Sequence, residues 1–177
     1  GGILDQGSQS NIVNIENVTV YNTGLTGSDA DDDAGIDLES VNGTVNVRNT
    51  ISMTNNDPGD SYFKNEGSYG SISNNISSDG TAPGPDSLTG QTLDDIDFFN
   101  SVSGSEDLHI KKSSAAVNAG ADLSDQKYAV THDIDGAPRI DGSFDIGADE
   151  TATAFYRSLG PGSTTALETG SDGGGND

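Results

Sequence analysis

Apolar and polar positions alternate in three short stretches of the chain, and the three align as copies of one pattern. Residues 11–22 read NIVNIENVTVYN, residues 43–54 read GTVNVRNTISMT, and residues 68–79 read SYGSISNNISSD. In this alignment Val13, Val45 and Gly70 coincide, as do Ile15, Val47 and Ile72, and then Asn17, Asn49 and Asn74. Val13 and Ile15, like Val45 and Val47, are separated by polar residues, so a period of two places the apolar set on one face of a strand. A second alternation follows each asparagine: Val18-Thr19-Val20, Thr50-Ile51-Ser52-Met53 and Asn75-Ile76-Ser77. A third short strand is predicted ahead of each unit, at Gly2-Ile3-Leu4, Gly35-Ile36-Asp37-Leu38 and Tyr62-Phe63.

The asparagines are 32 and 25 residues apart (49 − 17 and 74 − 49). Repeats of roughly twenty to forty-odd residues mark architectures in which each unit buries its apolar face against the next. Two or three short strands per repeat, joined by Asn, Gly and Asp, predict an all-β fold, a parallel β-helix (β-solenoid) of few coils. Asparagine tolerates the left-handed backbone that a tight bend requires. Stacked at equivalent bends, Asn17, Asn49 and Asn74 would form a ladder of side-chain amides. The competing reading makes the same asparagines loop residues of an antiparallel sandwich.

Composition changes this picture in one respect. Only 31 % of the 177 residues are hydrophobic, and 29 acidic residues against 7 basic ones give a net charge of −22. Such values point toward disorder, but a solenoid needs only a narrow stack of Ile, Val and Leu, with neighbour-to-neighbour interfaces supplying the rest. The charge repels nucleic acid and anionic membrane, and no apolar run is long enough to insert into a bilayer. The chain begins at Gly1 without Met and carries no cysteine. We read it as a piece of a longer extracellular or cell-surface protein of a prokaryote.

Three regions are expected. Residues 1–96 hold the coils, interrupted by an acidic insertion at residues 24–34. Residues 97–150 form a last coil and an irregular closing segment that latches or caps the end. Residues 151–177, ending in ETGSDGGGND, form a linker and flexible tail.

The closing segment carries a resemblance. Residues 114–120 (SAAVNAG), 133–139 (DIDGAPR) and 145–150 (DIGADE) are similar to the terminal motifs of extracellular right-handed parallel β-helix proteins with a choice-of-anchor type Q domain. Ala115 stands where that family has Pro, and Asn118 where it has Asp. The resemblance implies a right-handed helix and a latch of Asp133, Asp135, Arg139, Asp145 and Glu150. It leaves activity open, since some relatives are polysaccharide lyases and many are described by architecture alone.

Acidic clusters are the main candidates for chemistry. Asp133, Asp135, Asp141, Asp145, Asp149 and Glu150 crowd into eighteen residues. One reading is a Ca2+ site using Asp133 and Asp135, because hard cations collect carboxylate oxygens. The other, which we favour, is structural, with Arg139 forking onto Asp133 or Asp145. Asp29, Asp31 and Asp33 form a second candidate Ca2+ loop. It is not an EF-hand, since Ala34 and Ser40 stand where that motif needs Gly and Glu. His109 and His132 are the only histidines, and we expect surface or hydrogen-bonded roles for both. Asn42 is the exposed acceptor among the Asn-x-Ser/Thr sequences.

Two functions follow as expectations. The first is a non-catalytic structural module, a stalk, adhesin or fibre segment whose partners are upstream coils of the same polypeptide or further copies stacked head to tail into filaments. The second is a carbohydrate-active β-helix that binds or cleaves an acidic polysaccharide with Ca2+, in the manner of a polysaccharide lyase. It would use Arg48, Tyr62, Lys64 and Tyr69 as glycan contacts. No residue is singled out as catalytic.

Overall fold

The computed structural model describes residues 3–4, 12–23, 34–38, 43–53, 61–63, 67–127, 129–139, 142–151, 154–156 and 167–169. They are mostly strands with almost no helix: β1 (Ile3–Leu4), β2 (Ile12–Tyr21), β3 (Ile36–Asp37), β4 (Thr44–Met53), β5 (Tyr62–Phe63), β6 (Ser68–Ser73), β7 (Ile76–Ser77), α1 (Leu93–Ile96), β8 (Phe98–Asn100), β9 (Asp107–Ile110), β10 (Ala154–Tyr156) and β11 (Leu167–Thr169). The chain divides into two compact units, Gly1–Thr92 and Leu93–Asp177.

The first unit holds two parallel sheets. β1, β3 and β5 pair in that order, with Ile3 against Ile36 and Ile36 against Tyr62. β2, β4 and β6 form the second sheet, and β7 continues it on β4. β2 and β4 run in register from Ile12↔Thr44 to Tyr21↔Met53, the offset the sequence repeat predicts. Ile15, Val20, Ile36, Leu38, Val45, Val47 and Tyr62 form the buried core, with Ile3, Val13, Val18, Ile72 and Ala82 packed against it. Burying each such aliphatic side chain contributes about 1.5–3 kcal/mol.

The third repeat departs from the sequence alignment. Val45 pairs with Tyr69, not Gly70, while Val47 pairs with Ile72, so one extra residue bulges out of β6. The Asn46 side chain explains the bulge. Its Oδ1 accepts the Ser71 N–H at 2.7 Å and its Nδ2 donates to Asn14 Oδ1 at 2.7 Å. A Cβ at position 70 would meet Asn46 Oδ1 at 2.4 Å, so glycine makes room for that amide.

Asn17, Asn49 and Asn74 all adopt left-handed backbone, with φ of 52°, 52° and 53°. Each bends its strand and restarts the alternation beyond it. Asn49 is fully buried and its Nδ2 donates to Asn17 Oδ1 at 3.1 Å. Beside this ladder lies a hub the repeat pattern does not reveal. Asn75, also fully buried, accepts from Thr50 Oγ1 at 2.8 Å and donates to the Val47 and Pro83 carbonyls at 2.9 and 2.8 Å.

The second unit begins differently from the expected last coil. β8 and β9 pair antiparallel, Phe98 against Ile110 and Asn100 against Asp107. The connection between them is too short for the crossover that parallel strands require. It is tied by Asn100, whose Nδ2 donates to the Ser105 carbonyl at 2.7 Å and whose Oδ1 accepts the Val102 N–H at 3.0 Å. Ile96, Phe98, Ile110, Ala116, Leu123, Ala137, Phe144 and Ile146 are buried here. The expected tail also holds structure: β10 and β11 pair antiparallel, Ala154 against Thr169. The Thr, Ala, Phe and Tyr that precede its glycine-rich end provide strand-forming residues that overall composition obscures.

Candidate metal centre

The closing motifs come together in the second unit. The Gly120 N–H donates to the Phe144 carbonyl at 2.7 Å, and the Ile146 N–H donates to the Ala116 carbonyl at 2.9 Å. A Cβ on Gly120 would lie 2.8 Å from the carbonyl oxygens of Phe144 and Asp145, so the two segments meet only because position 120 has no side chain. Asp145 lies beneath this seam. Its Oδ1 accepts the Asn118 N–H at 2.7 Å, and its Oδ2 accepts the Thr151 N–H at 2.6 Å and the Thr151 hydroxyl at 2.8 Å.

Arg139 is 3 % exposed, and its partner corrects the expectation. It pairs with neither Asp133 nor Asp145. Its Nη1 bonds Glu150 Oε1, and its Nη2 donates to the Gly147 carbonyl at 2.8 Å. Glu150 Oε1 also accepts the Asp145 N–H at 3.0 Å. Asp145 is already taken by three donors from Asn118 and Thr151. Asp133 Oδ1 is used locally by the N–H groups of Asp135 and Ala137, at 2.9 and 2.7 Å.

Alongside the latch is a cluster that sequence reasoning did not assemble. A ring nitrogen of His109 on β9 and one carboxylate oxygen each from Asp135 and Asp149 lie within 4.8 Å of one another. His109 Nδ1 bonds Asp107 Oδ1, and Nε2 lies 3.0 Å from Asp135 Oδ2. Asp149 is 4 % exposed. Its Oδ2 accepts the Ile110 N–H at 2.9 Å. Its Oδ1, together with Asp133 Oδ2 and Asp135 Oδ2, is buried without a hydrogen-bond partner among the described residues.

The electrostatics follow from this crowding. Burial pushes the Asp149 carboxyl up to about 6; the Ile110 N–H and His109 oppose that rise, and the charges of Asp133 and Asp135 add to it. For His109, burial works to lower the pKa. The Asp107 hydrogen bond and the charges of Asp149, Asp135 and Asp107 outweigh it and hold the ring above its ordinary value. A ring nitrogen and several carboxylate oxygens that converge beside the Asp149 oxygen without a hydrogen bond can accept a proton or a divalent cation.

The remaining candidate residues fall elsewhere. Tyr62 is not a glycan contact: it is 6 % exposed, and its hydroxyl sits 2.8 Å from Thr50 Oγ1 and donates toward the Thr50 and Ile76 carbonyls at 2.9 and 3.0 Å. Burial drives that hydroxyl far above the ordinary tyrosine range. Arg48 forms an ion pair with Glu16, its register partner on β2, and both side chains are largely covered. Tyr69 is exposed on β6. Asp37, from the acidic stretch after the insertion, is buried in β3. Asp29, Asp31, Asp33, Asn42, Lys64 and Asp141 lie outside the described residues.

His109 was missed because 26 positions separate it from Asp135 (135 − 109), and nothing local announces the approach. The available signal was the alternation Leu108-His109-Ile110, which marks a strand, beside an unusual density of acids downstream. No protein-family model, no curated protein and no solved structure matches the chain.

Proposed function

We propose that the chain is a non-catalytic structural module in an extracellular or cell-surface prokaryotic protein: a right-handed parallel β-helix of few coils in the first unit, followed by a second unit pinned by the Arg139–Glu150 latch. The observation that carries this reading is the parallel pairing of successive repeats in two sheets, β1-β3-β5 and β2-β4-β6. Its residues are spent on stacking. Asn49 bonds Asn17 along the ladder, and Tyr62 and Arg48, two of the residues a glycan-binding face would need, are engaged within the fold. That works against the carbohydrate-active alternative. The choice-of-anchor resemblance of the closing motifs accords with the same reading.

Stacking extends naturally to a partner. Among the described strands β2 pairs only with β4, and Ile12 at its start is 71 % exposed. An edge strand of a sheet can accept another strand. A further coil, from upstream in the same polypeptide or from another copy, would fill it, and repetition between copies is head to tail and open-ended. Negative-stain electron microscopy of the purified chain in metal-free buffer tests this. Regular filaments support self-stacking. Dispersed particles at high concentration would remove it, leaving a coil of the same polypeptide as the partner.

A further inference from the structure

We propose that His109, Asp135 and Asp149 form a binding site for a first-row divalent transition metal of the zinc type, and that the ion staples three segments of the second unit together. The ligands come from β9, from the turn of residues 133–139 and from the closing segment of residues 142–151. Asp149 is the anchor: nine-tenths buried, held through one oxygen by the Ile110 N–H, with its other oxygen buried and lacking a hydrogen bond among the described residues.

The arrangement around His109 is that of a metal ligand. Asp107 takes Nδ1, which fixes the tautomer and turns Nε2 toward Asp135. Metal-bound imidazoles are commonly held by a carboxylate on the far nitrogen in this way. With Nδ1 donating, Nε2 of the neutral ring presents a lone pair to a carboxylate oxygen 3.0 Å away. That contact is repulsive unless a proton or a cation lies between the two atoms. A proton yields a doubly ion-paired imidazolium and leaves the Asp149 oxygen unmet. A cation satisfies all three groups.

Ligand type selects the ion, and the one close separation accords with it. Two neighbouring ligands on zinc-type bonds of about 2.0–2.2 Å lie roughly 2.8–3.6 Å apart at angles between 90° and 109°. The 3.0 Å separation of Nε2 and Asp135 Oδ2 falls in that range. Calcium bonds of about 2.3–2.6 Å set ligands roughly 3.3 Å or more apart at the same angles, and calcium takes oxygens rather than imidazole. Imidazole with carboxylate suits zinc and its first-row neighbours. Asp133, whose Oδ2 is also buried and lacks a hydrogen bond, adds negative charge beside the site.

The test is isothermal titration of the full chain with Zn2+ and with Ca2+, together with the visible spectrum of the Co2+ form. The expected result is one strong Zn2+ equivalent per chain that millimolar Ca2+ does not displace, and ligand-field bands for Co2+. Both should be lost in Asp149→Asn. His109→Gln, at a half-buried site, guards against misfolding of that variant and should weaken Zn2+ at least tenfold with its circular dichroism unchanged. Asp107→Asn should weaken it about ten- to a hundredfold while keeping the Co2+ bands. Zn2+ binding unchanged in His109→Gln, Ca2+ preferred over Zn2+, or no binding beyond weak screening of the acidic surface would each overturn the proposal.

Discussion

Asn49 sits over Asn17, its Nδ2 donating to Asn17 Oδ1 at 3.1 Å between residues 32 positions apart, and both hold the same left-handed φ of 52°. One residue type meets two demands at these two bends: a backbone conformation that most side chains resist, and a buried amide bonded to its counterpart in the neighbouring repeat. Asn49→Ala should lose both. A stranded buried amide costs about 1–3 kcal/mol, and a non-glycine residue without asparagine's local bonding costs about 1–2 kcal/mol in left-handed backbone. Asn49→Gly keeps the backbone and should destabilise by about 1 kcal/mol less than Asn49→Ala. Urea unfolding of the two variants measures the difference, and equal losses would show that the bend is not strained.

Tyr62→Phe separates a core role from a ligand-binding one. The hydroxyl reaches Thr50 Oγ1 and the carbonyls of Thr50 and Ile76. Removing it leaves buried acceptors unmet, at about 1–3 kcal/mol. A residue on a glycan-binding surface would leave stability unchanged. Thermal unfolding distinguishes the outcomes.

Arg139→Met should be among the most damaging single changes in the second unit. It leaves Glu150 buried, charged and without the guanidinium it faces, a situation that costs about 3–5 kcal/mol. Adding Glu150→Gln removes the stranded charge, so the double variant should be more stable than Arg139→Met alone. Denaturant midpoints of the parent, the two single variants and the double variant would show whether the pair is coupled. A double variant as unstable as the sum of its parts would deny the coupling.

Asp79 predicts an acid limit for the first unit. Burial works to raise its pKa, but hydrogen bonds from the Thr81 hydroxyl and the Ser61 and Thr81 N–H groups outweigh it and hold the carboxyl below its ordinary 3.8. A folded-state pKa below the unfolded one contributes stability that is complete above about 3.8 and lost as pH falls through the lower folded value. Asp79→Asn should therefore be less stable than the parent at neutral pH, and the gap should close as acid is added. A gap that stays constant down to pH 2 would exclude the carboxylate as its source.

Sequence alone determined the repeat and its inward face. Alternation at Val13, Ile15, Val45 and Val47 is a property of a strand, and asparagine at a bend is a property of its own backbone, so both are legible before any folding is known. The 32-residue offset between Asn17 and Asn49 even carries the register of β2 on β4. Where local chemistry ran out, tertiary structure decided. Gly70 slipped out of register because an amide from the preceding repeat occupies the space of its Cβ. Arg139 pairs with Glu150, while Asn118 and Thr151 hold Asp145. His109 met Asp135 and Asp149 because three segments distant in sequence close on one another in the second unit. Periodicity is written in neighbouring residues and can be read from them. Which charged groups share a buried space depends on the path of the whole chain, and a chain with 29 acids offers too many pairings for spacing to choose among them.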